Sequence, residues 1–164
     1  MAMKSFISED SIEQAICNRL SQPEYGWQRI ECDPSMEGQN DLKATGRSSV
    51  EECILPEIFS KALQRINPQI EAETLDGIVH KYRKDYTGTD MVDTNYKFYN
   101  QIRNGIKVKT RNQHGEDFDI VKLIDFDRPE NNDFHCVNQM WIKGHYRYRR
   151  PDVLLFVNGL LWYS

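Results

Sequence analysis

An aspartate near the end of the chain has the sequence context of a metal-binding carboxylate. Asp152 follows Arg150 and Pro151 and precedes the apolar run from Val153 to Val157, which indicates a buried strand. A carboxylate at the start of such a strand lies at the rim of a sheet, where a hard cation such as Mg²⁺ binds oxygen ligands while keeping several waters. The residues also allow a plainer interpretation, in which Asp152 accepts a hydrogen bond from a nearby turn.

Cations and aromatic residues alternate directly before this aspartate. The stretch from 143 to 150 reads KGHYRYRR, and its candidate phosphate contacts are Lys143, Arg147, Arg149 and Arg150. Positive side chains interleaved with tyrosines suit a surface that binds a nucleic-acid backbone and stacks on bases. The same composition fits a solvated hairpin loop whose arginines pair with neighbouring acidic residues.

The composition indicates a globular protein. The 164 residues are 39% hydrophobic and 28% charged, and we expect a single domain over 1–164. There is no apolar run of membrane-spanning length and no signal-peptide pattern at the N-terminus, so we expect a cytoplasmic protein without membrane contact. The net charge of -4 excludes a generally basic nucleic-acid binder, so any DNA contact must come from a local patch. The scattered cysteines predict structural thiols.

Hydrophobic periodicity divides the chain into a mainly helical part, residues 1–105, and a β-sheet part, residues 106–164. The first helix is expected from Ser8 to about Ser21, with apolar residues such as Ile12 and Ile16 on one face. The segment from Cys32 to Ser49 has the composition of a long loop. The fold class is therefore α/β of the α+β kind, with the helices packed on a mostly antiparallel β-meander. The remaining helices are expected near Leu55–Ile66, Leu75–Tyr82 and Val92–Ile102, the strands at Ile106–Thr110, Phe118–Phe126, Phe134–Ile142 and Val153–Val157, and a hairpin loop at Arg111–Asp117.

The stretch from Val121 to Leu160 resembles the N-terminal domain of the R (restriction and translocation) subunit of type I restriction enzymes. The likeness runs in order through LIDF, PENNDF, VNQ, and RPD followed by FVNG. The N-terminal half is similar more loosely, through Ile12-Glu13 in the first helix, Gly26-Trp27 and Asn67-Pro68.

This resemblance implies a function in DNA restriction and a partial restriction-endonuclease-like fold of the PD-(D/E)xK kind. By the resemblance, Asp152 binds Mg²⁺ and Glu13 is the first-helix acid of the catalytic site. The implied partners are double-stranded DNA and the modification and specificity subunits of an ATP-dependent complex, with ATP acting through motor domains absent from this sequence. A glutamate near a helix N-terminus is also explained by capping and the helix dipole.

The sequence departs from the family pattern after Asn158-Gly159. The family continues into a strand with Glu-x-Lys, which supplies a second metal carboxylate and a lysine. Here the acid-x-Lys spacing occurs at Asp41-Leu42-Lys43, far ahead of Asp152 and in the polar loop. We therefore expect an N-terminal fragment of a longer R subunit that is catalytically incomplete alone and that self-associates through its C-terminal sheet edge.

Two other classes of function remain open on the residues. One is a non-catalytic DNA-binding or protein-interaction module built on a nuclease-like scaffold. The other is a structural protein whose acidic helical half contacts a protein partner. DNA binding and its salt dependence separate the two.

Overall fold

The described part of the chain is built around a four-stranded sheet that has helices on both of its faces. The structure is a computed structural model, and it describes residues 8–32, 39–84, 91–112, 115–143 and 147–163. The helices are α1 (Glu9–Leu20), α2 (Gln39–Thr45), α3 (Pro56–Ile66), α4 (Ala72–Lys84) and α5 (Met91–Asn104). The strands are β1 (Gln28–Glu31), β2 (Ile106–Asn112), β3 (Gly115–Val121), β4 (Phe134–Asn138), β5 (Ile142–Lys143), β6 (Tyr148–Arg149), β7 (Val153–Val157) and β8 (Leu160–Tyr163).

The strand order of the main sheet is β1-β4-β7-β8. β1 pairs with β4 in parallel, whereas β4 with β7 and β7 with β8 are antiparallel. In this register Glu31, Asn138 and Val153 are neighbours, so β1 and β4 end at the edge where β7 begins. The predicted α+β class is confirmed. The residues of the candidate site lie at this end of the sheet, where β1 and β4 end and β7 begins.

The two faces of the sheet are chemically different. One face carries Ile30, Val137 and Leu154, which pack with Leu55 at the start of α3 in a buried apolar cluster. Successive strand residues point to opposite faces, so the other face of β4 carries Cys136 and Asn138. These two residues contact Cys17 and Glu13 of α1. The sheet is therefore apolar towards α3, whereas towards α1 it presents a thiol and an amide.

The predicted first helix is present, but its apolar residues are not the buried ones. Ser8 is the N-cap, and its Oγ accepts a hydrogen bond from Ser11 N at 3.3 Å. Ile12 and Ile16 are 52% and 45% exposed, whereas Glu13 is 7% exposed. The apolar face of this amphipathic helix is therefore not the face that packs on the sheet, because α1 turns Glu13 and Cys17 towards Asn138 and Cys136 of β4.

The predicted helical part, residues 1–105, contains two further elements that periodicity missed. β1 has four residues and an exposed–intermediate pattern, too short and polar to stand out. α2 lies inside the segment predicted as a loop, of which residues 33–38 fall outside the described ranges. α2 and the turn after it bury the polar residues Asp41, Thr45 and Arg47, so the sequence has no apolar stripe that would predict this helix. No helix in the described ranges is long and apolar enough to cross a membrane.

The strands of the second half differ in length from the predicted ones. β2 and β3 pair from Ile106–Val121 to Asn112–Gly115, so most of the predicted hairpin loop at 111–117 is strand; residues 113 and 114 lie outside the described part. The strand predicted over 118–126 ends at Val121, and the strand predicted over 134–142 ends at Asn138. Gln139 interrupts the latter with a φ of 56°, a backbone conformation that strands do not use.

Hydrogen bonds from asparagine side chains hold the segment between β3 and β4, which is mostly irregular. Asn158, which is fully buried, donates from Nδ2 to the Leu123 carbonyl and to Asn132 Oδ1, at 2.9 and 2.8 Å. Its Oδ1 accepts from Asp133 N at 2.8 Å. Asn132 in turn donates to the Asp125 carbonyl at 2.8 Å. The PENND and FVNG motifs thus form one buried polar network that fixes the turn from β7 to β8.

β8 forms one edge of the main sheet, with Leu160 fully buried and Trp162 52% exposed. Part of this edge is already paired, because Leu160 makes an isolated bridge to Ile54 and Leu55 N donates to the Gly159 carbonyl at 2.8 Å. Self-association through this edge stays a prediction.

Candidate active site

A cavity of about 540 Å³ opens at the sheet edge where β1 and β4 end and β7 begins. The first turns of α1 form another part of its wall. Polar groups dominate the lining, which includes Asp10, Glu13, Gln14, Arg29, Glu31, Asn138, Gln139, Arg150 and Asp152. The two acids singled out in the sequence, Glu13 and Asp152, therefore share one cavity although they lie near opposite ends of the chain.

The Glu13 carboxylate lies between α1 and the sheet and accepts a hydrogen bond on each oxygen. Asn138 Nδ2 donates to Oε1 and Gln139 Nε2 donates to Oε2, both at 2.8 Å. A buried carboxylate is costly unless its oxygens are hydrogen-bonded, and both of these oxygens are. Ser8 supplies the helix cap, so the position of Glu13 is set by the sheet rather than by the capping of α1.

Gln139 joins Glu13 to Asp152. The same Nε2 that donates to Glu13 also donates to Asp152 Oδ1 at 3.3 Å, and the Gln139 backbone N donates to the Asp152 carbonyl at 3.1 Å. Asp152 is solvent-exposed at the mouth of the cavity. One side chain therefore holds a buried and an exposed carboxylate within reach of each other.

The left-handed backbone of Gln139 explains how two adjacent amides reach one carboxylate. In a regular strand the side chains of Asn138 and Gln139 would point to opposite faces of the sheet. The φ of 56° at Gln139 breaks this alternation, so both amides face Glu13. Such a conformation in a non-glycine residue destabilises the fold by on the order of 1 kcal/mol or more. Strained backbone conformations of this kind are commonly found at functional sites.

Arg29 on β1 fixes the orientation of the Asn138 amide. Arg29 Nε donates to Asn138 Oδ1 at 3.2 Å, while its Nη2 donates to Gln14 Oε1 at 2.7 Å and forms an ion pair with Glu31 at 2.7 Å. Since Oδ1 is occupied by Arg29, Asn138 must present its Nδ2 to Glu13. Arg29 thus links α1, β1 and β4 around the buried carboxylate.

Burial favours the neutral form of two thiols near the cavity, Cys32 and Cys136. The sulfurs of Cys17 and Cys136 lie 3.1 Å apart beneath Asn138, and both residues are free thiols. Burial, with the hydrogen bond to Cys17 second, raises the pKa of Cys136 to about 12. Burial and the nearby Asp41 charge raise the pKa of Cys32 to about 12 as well. Because the thiolate is the reactive form, Cys32 and Cys136 are neutral and unreactive at neutral pH.

The Asp41-Leu42-Lys43 triplet does not contribute to the cavity. Asp41 in α2 is 1% exposed, and its Oδ2 accepts from Trp141 N at 2.6 Å. Arg47 lies close by, and burial lowers the pKa of its guanidinium while the Asp41 charge raises it. Lys43 is exposed. Asp41 therefore supports the chain after β4, and no lysine lines the cavity among the described residues.

The predicted cationic patch divides into members with different surroundings. Arg150 lines the cavity beside Asp152, with its guanidinium 5.4 Å from the Trp141 ring centroid. Lys143 forms an ion pair with Glu51 at 2.8 Å, and that hydrogen bond raises the Lys143 pKa. Arg147 and Arg149 are exposed, the latter on β6. Residues 144–146, between Lys143 and Arg147, lie outside the described part of the chain.

The donor set of the cavity suits a hard cation. Two carboxylates, Glu13 and Asp152, meet at Gln139, whose amide oxygen is a third hard donor. Mg²⁺ is bound in proteins by one or two carboxylates and keeps several waters, so these residues fit a hydrated divalent cation. No group of three or more His, Cys, Asp or Glu side chains in the described ranges is arranged to hold a metal ion.

Asn138, Gln139 and Arg29 were not predicted as site residues. Asn138 and Gln139 belong to the VNQ stretch, which in the sequence indicates only part of a strand. The one signal that points to them is a pair of amides ending an apolar strand, where side chains lie at a sheet rim. Arg29 has no such signal, because the strand that carries it was itself missed.

Comparisons with known proteins show which family the chain is similar to. Residues 6–162 match the family model described as Type I restriction enzyme R protein N terminus. The chain is 32% identical over 157 residues to the HindI endonuclease subunit of a type I restriction enzyme from Haemophilus influenzae, covering 94% of this chain and 14% of that protein. It is 34% identical over 120 residues to a protein of Methanocaldococcus jannaschii named as the type I restriction enzyme MjaIXP endonuclease subunit, covering 70% of this chain and 11% of that protein.

The relatives that match are much longer than this chain. The chain spans only 14% and 11% of the lengths of these curated relatives. A restriction endonuclease family implies, in general terms, a divalent metal cofactor, with which the oxygen donors of the cavity are compatible. The chain belongs to the family of type I restriction enzyme R proteins and corresponds to their N-terminal region.

Proposed function

We propose that this chain forms the metal-binding part of a DNA-cleavage centre, with Asp152 and Glu13 as the catalytic carboxylates that hold Mg²⁺. The observation that carries the proposal is the meeting of these two acids in one cavity, where Gln139 bonds to both. When bound, Mg²⁺ polarises the scissile phosphate and favours ionisation of the attacking water.

The chain's own residues bind and orient the substrate in this proposal. Arg150 lines the cavity together with Asp152, and in this proposal its guanidinium contacts a phosphate of duplex DNA in bidentate fashion. Arg147 and Arg149 extend the positive surface away from the cavity, where they contact neighbouring phosphates. Lys143 is the weakest member of the set, because Glu51 already neutralises it.

The centre needs groups that the described residues do not bring to the cavity. In phosphodiester hydrolysis a lysine commonly orients the attacking water, and no lysine lines this cavity within the described ranges. We therefore expect cleavage only in the assembled restriction complex, with duplex DNA, modification and specificity subunits, and ATP used by motor domains of the same enzyme. The chain alone should cut DNA negligibly.

Cleavage by the assembled complex tests the proposal. The complex containing this region as part of its R subunit is incubated with plasmid DNA, ATP and Mg²⁺, and linear product is measured. Asp152→Ala and Glu13→Ala should each reduce cutting by about 100-fold or more, because an interaction made at the reacting centre is lost. Asp76→Ala, which removes an exposed carboxylate on α4, should cut normally. Normal cutting by Asp152→Ala would refute the assignment.

A non-catalytic DNA-binding module is the second candidate function. It is favoured by the exposure of Arg147 and Arg149 together with the absence of a lysine from the described lining of the cavity. In this case a fluorescent duplex binds the chain with an affinity that falls steeply with salt. Binding would survive Asp152→Ala and be lost when Arg147, Arg149 and Arg150 are all replaced by alanine. A chain that binds no duplex even at low salt would instead support a role in protein assembly.

A further inference from the structure

Gln139 occupies the point where α1, β4 and β7 meet at the cavity. Its Nε2 lies 2.8 Å from Glu13 Oε2 and 3.3 Å from Asp152 Oδ1, so one amide NH₂ group donates to both carboxylates. Its backbone is held separately, by the bond from Gln139 N to the Asp152 carbonyl at 3.1 Å. The side chain and the backbone of Gln139 therefore make independent contacts, and the side chain can be tested without removing the backbone bond.

We propose that Gln139 is a positioning residue with two states. Without a cation its amide nitrogen holds Glu13 and Asp152 together, and with a divalent cation bound its amide turns and its oxygen becomes a ligand. The inference rests on the proposed function, since it takes Glu13 and Asp152 as the carboxylates that bind the metal.

The chemistry of an amide suits these two states. Two carboxylates in one cavity repel each other unless donors or a cation lie between them. An amide carries two N–H donors and one acceptor oxygen on the same carbon, and its terminal torsion is soft. A rotation of that torsion therefore turns the NH₂ group, which donates to carboxylates, away from the site and brings in the amide oxygen, which can bind a cation.

Other residue types would not serve both states. A lysine would hold the carboxylates permanently and compete with the cation by its own charge. A glutamate would ligate the cation but would place a third negative charge in the metal-free cavity. Gln139 keeps its left-handed φ of 56°, which holds the amide beside both carboxylates.

Mn²⁺ binding and thermal unfolding of the full chain test the proposal together. Mn²⁺ affinity is measured by isothermal titration calorimetry, and the midpoint of thermal unfolding is measured without metal. Gln139→Ala should weaken Mn²⁺ binding about 10-fold or more, the range found when groups that support a metal site are removed. Gln139→Glu should bind Mn²⁺ more tightly than the unaltered chain while its metal-free unfolding midpoint falls. Gln64→Ala, an exposed glutamine on α3, should change neither quantity.

The Mn²⁺ affinity of Gln139→Ala distinguishes this role from a purely structural one. If Gln139 only supported the fold, Gln139→Ala would lower the metal-free unfolding midpoint and leave the Mn²⁺ affinity unchanged, and the proposal would be overturned. A Gln139→Glu chain that binds Mn²⁺ more weakly than the unaltered chain would overturn it as well. Should Gln139→Ala fail to fold, Gln139→Gly removes the same side chain with a residue that favours positive φ, and the same loss of affinity is expected.

Asp152→Ala separates the failure of this inference from the failure of the proposed function. If Asp152→Ala abolishes Mn²⁺ binding and the Gln139 variants bind normally, the metal site stands and the role of Gln139 is refuted. If the unaltered chain shows no saturable Mn²⁺ binding, both are refuted.

Discussion

Replacing Glu13 by glutamine should destabilise the fold, although the two side chains have almost the same shape. The carboxylate accepts from Asn138 Nδ2 and Gln139 Nε2, each at 2.8 Å, in a position that is 7% exposed. A glutamine has one acceptor oxygen, so one of these donors would face an NH₂ group instead. Asn138 cannot turn its amide around, because Arg29 Nε already donates to its Oδ1 at 3.2 Å.

The size of the effect follows from these two bonds. Hydrogen bonds to charged groups each contribute about 1.5–3 kcal/mol to stability. One bond is lost in Glu13→Gln and the other loses its charge, so the free energy of unfolding should fall by about 2–4 kcal/mol. Turning the Gln139 amide would restore one bond only by giving up the bond to Asp152.

Urea unfolding at neutral pH measures this change. The expected result is a lower midpoint with an unchanged m-value, which indicates a loss of stability alone. Glu24→Gln, at an exposed position in the turn after α1, is the matched control and should change stability by less than about 0.5 kcal/mol. A Glu13→Gln chain as stable as its control would show that the carboxylate does not hold both amides.

Two further predictions concern the fold around the site. Gly159→Ala should lower the free energy of unfolding by about 2–5 kcal/mol, because the new Cβ would lie 2.5 Å from the Leu55 carbonyl oxygen at a φ of +77°. In Gly77→Ala the new Cβ meets nothing within 4 Å on α4, so the free energy of unfolding should rise by about 0.5–1 kcal/mol. Urea midpoints that shift in the same direction in both variants would contradict this. Burial lowers the pKa of His135 in the folded chain, so as pH falls His135 takes up a proton in the unfolded chain before it does in the folded one. The free energy of unfolding should therefore decrease below about pH 6.5, by up to about 1.4 kcal/mol per pH unit. His135→Gln should flatten that loss in urea titrations from pH 8 to 5, and identical profiles for the two chains would refute the assignment.

Much of the helical framework could be predicted from the sequence because two of its helices bury apolar stripes. α3 buries Phe59 and Leu63, and α4 buries Leu75 and Val79, all at helical spacing. The Val153–Val157 strand was also predicted with its observed bounds, since a continuous apolar run between turn residues indicates a buried strand.

The site itself was only partly predictable, because its elements bury polar side chains. Periodicity predicted Ile12 and Ile16 on one face of an amphipathic α1, whereas the structure leaves both exposed and buries Glu13. α1 contacts β1 through Arg29, and β1 is a strand without an apolar pattern. The pair of amides that ends β4 is the one sequence signal at Gln139, and it did not predict the contact to both carboxylates, because that contact depends on a left-handed backbone.

Asp152 and Glu13 were paired by the resemblance of the sequence to a nuclease family, and in the structure they line one cavity and both accept from Gln139. Gln139 lies in the VNQ stretch that carries the resemblance, but the resemblance gave it no role. Physical reasoning from spacing had left both residues with ordinary alternatives, a turn contact for Asp152 and a helix cap for Glu13. Ser8 takes the capping role, which leaves the Glu13 carboxylate available to the cavity.

The most direct measurement is the anomalous scattering of Mn²⁺ in crystals of this chain. The account predicts an anomalous peak in the cavity at ligand distance from both Glu13 and Asp152, with the Gln139 amide oxygen turned towards it, and no such peak in Asp152→Ala crystals. A Mn²⁺ peak bound elsewhere, or an empty cavity at saturating Mn²⁺ with Glu13 and Asp152 still bonded to Gln139, would contradict it.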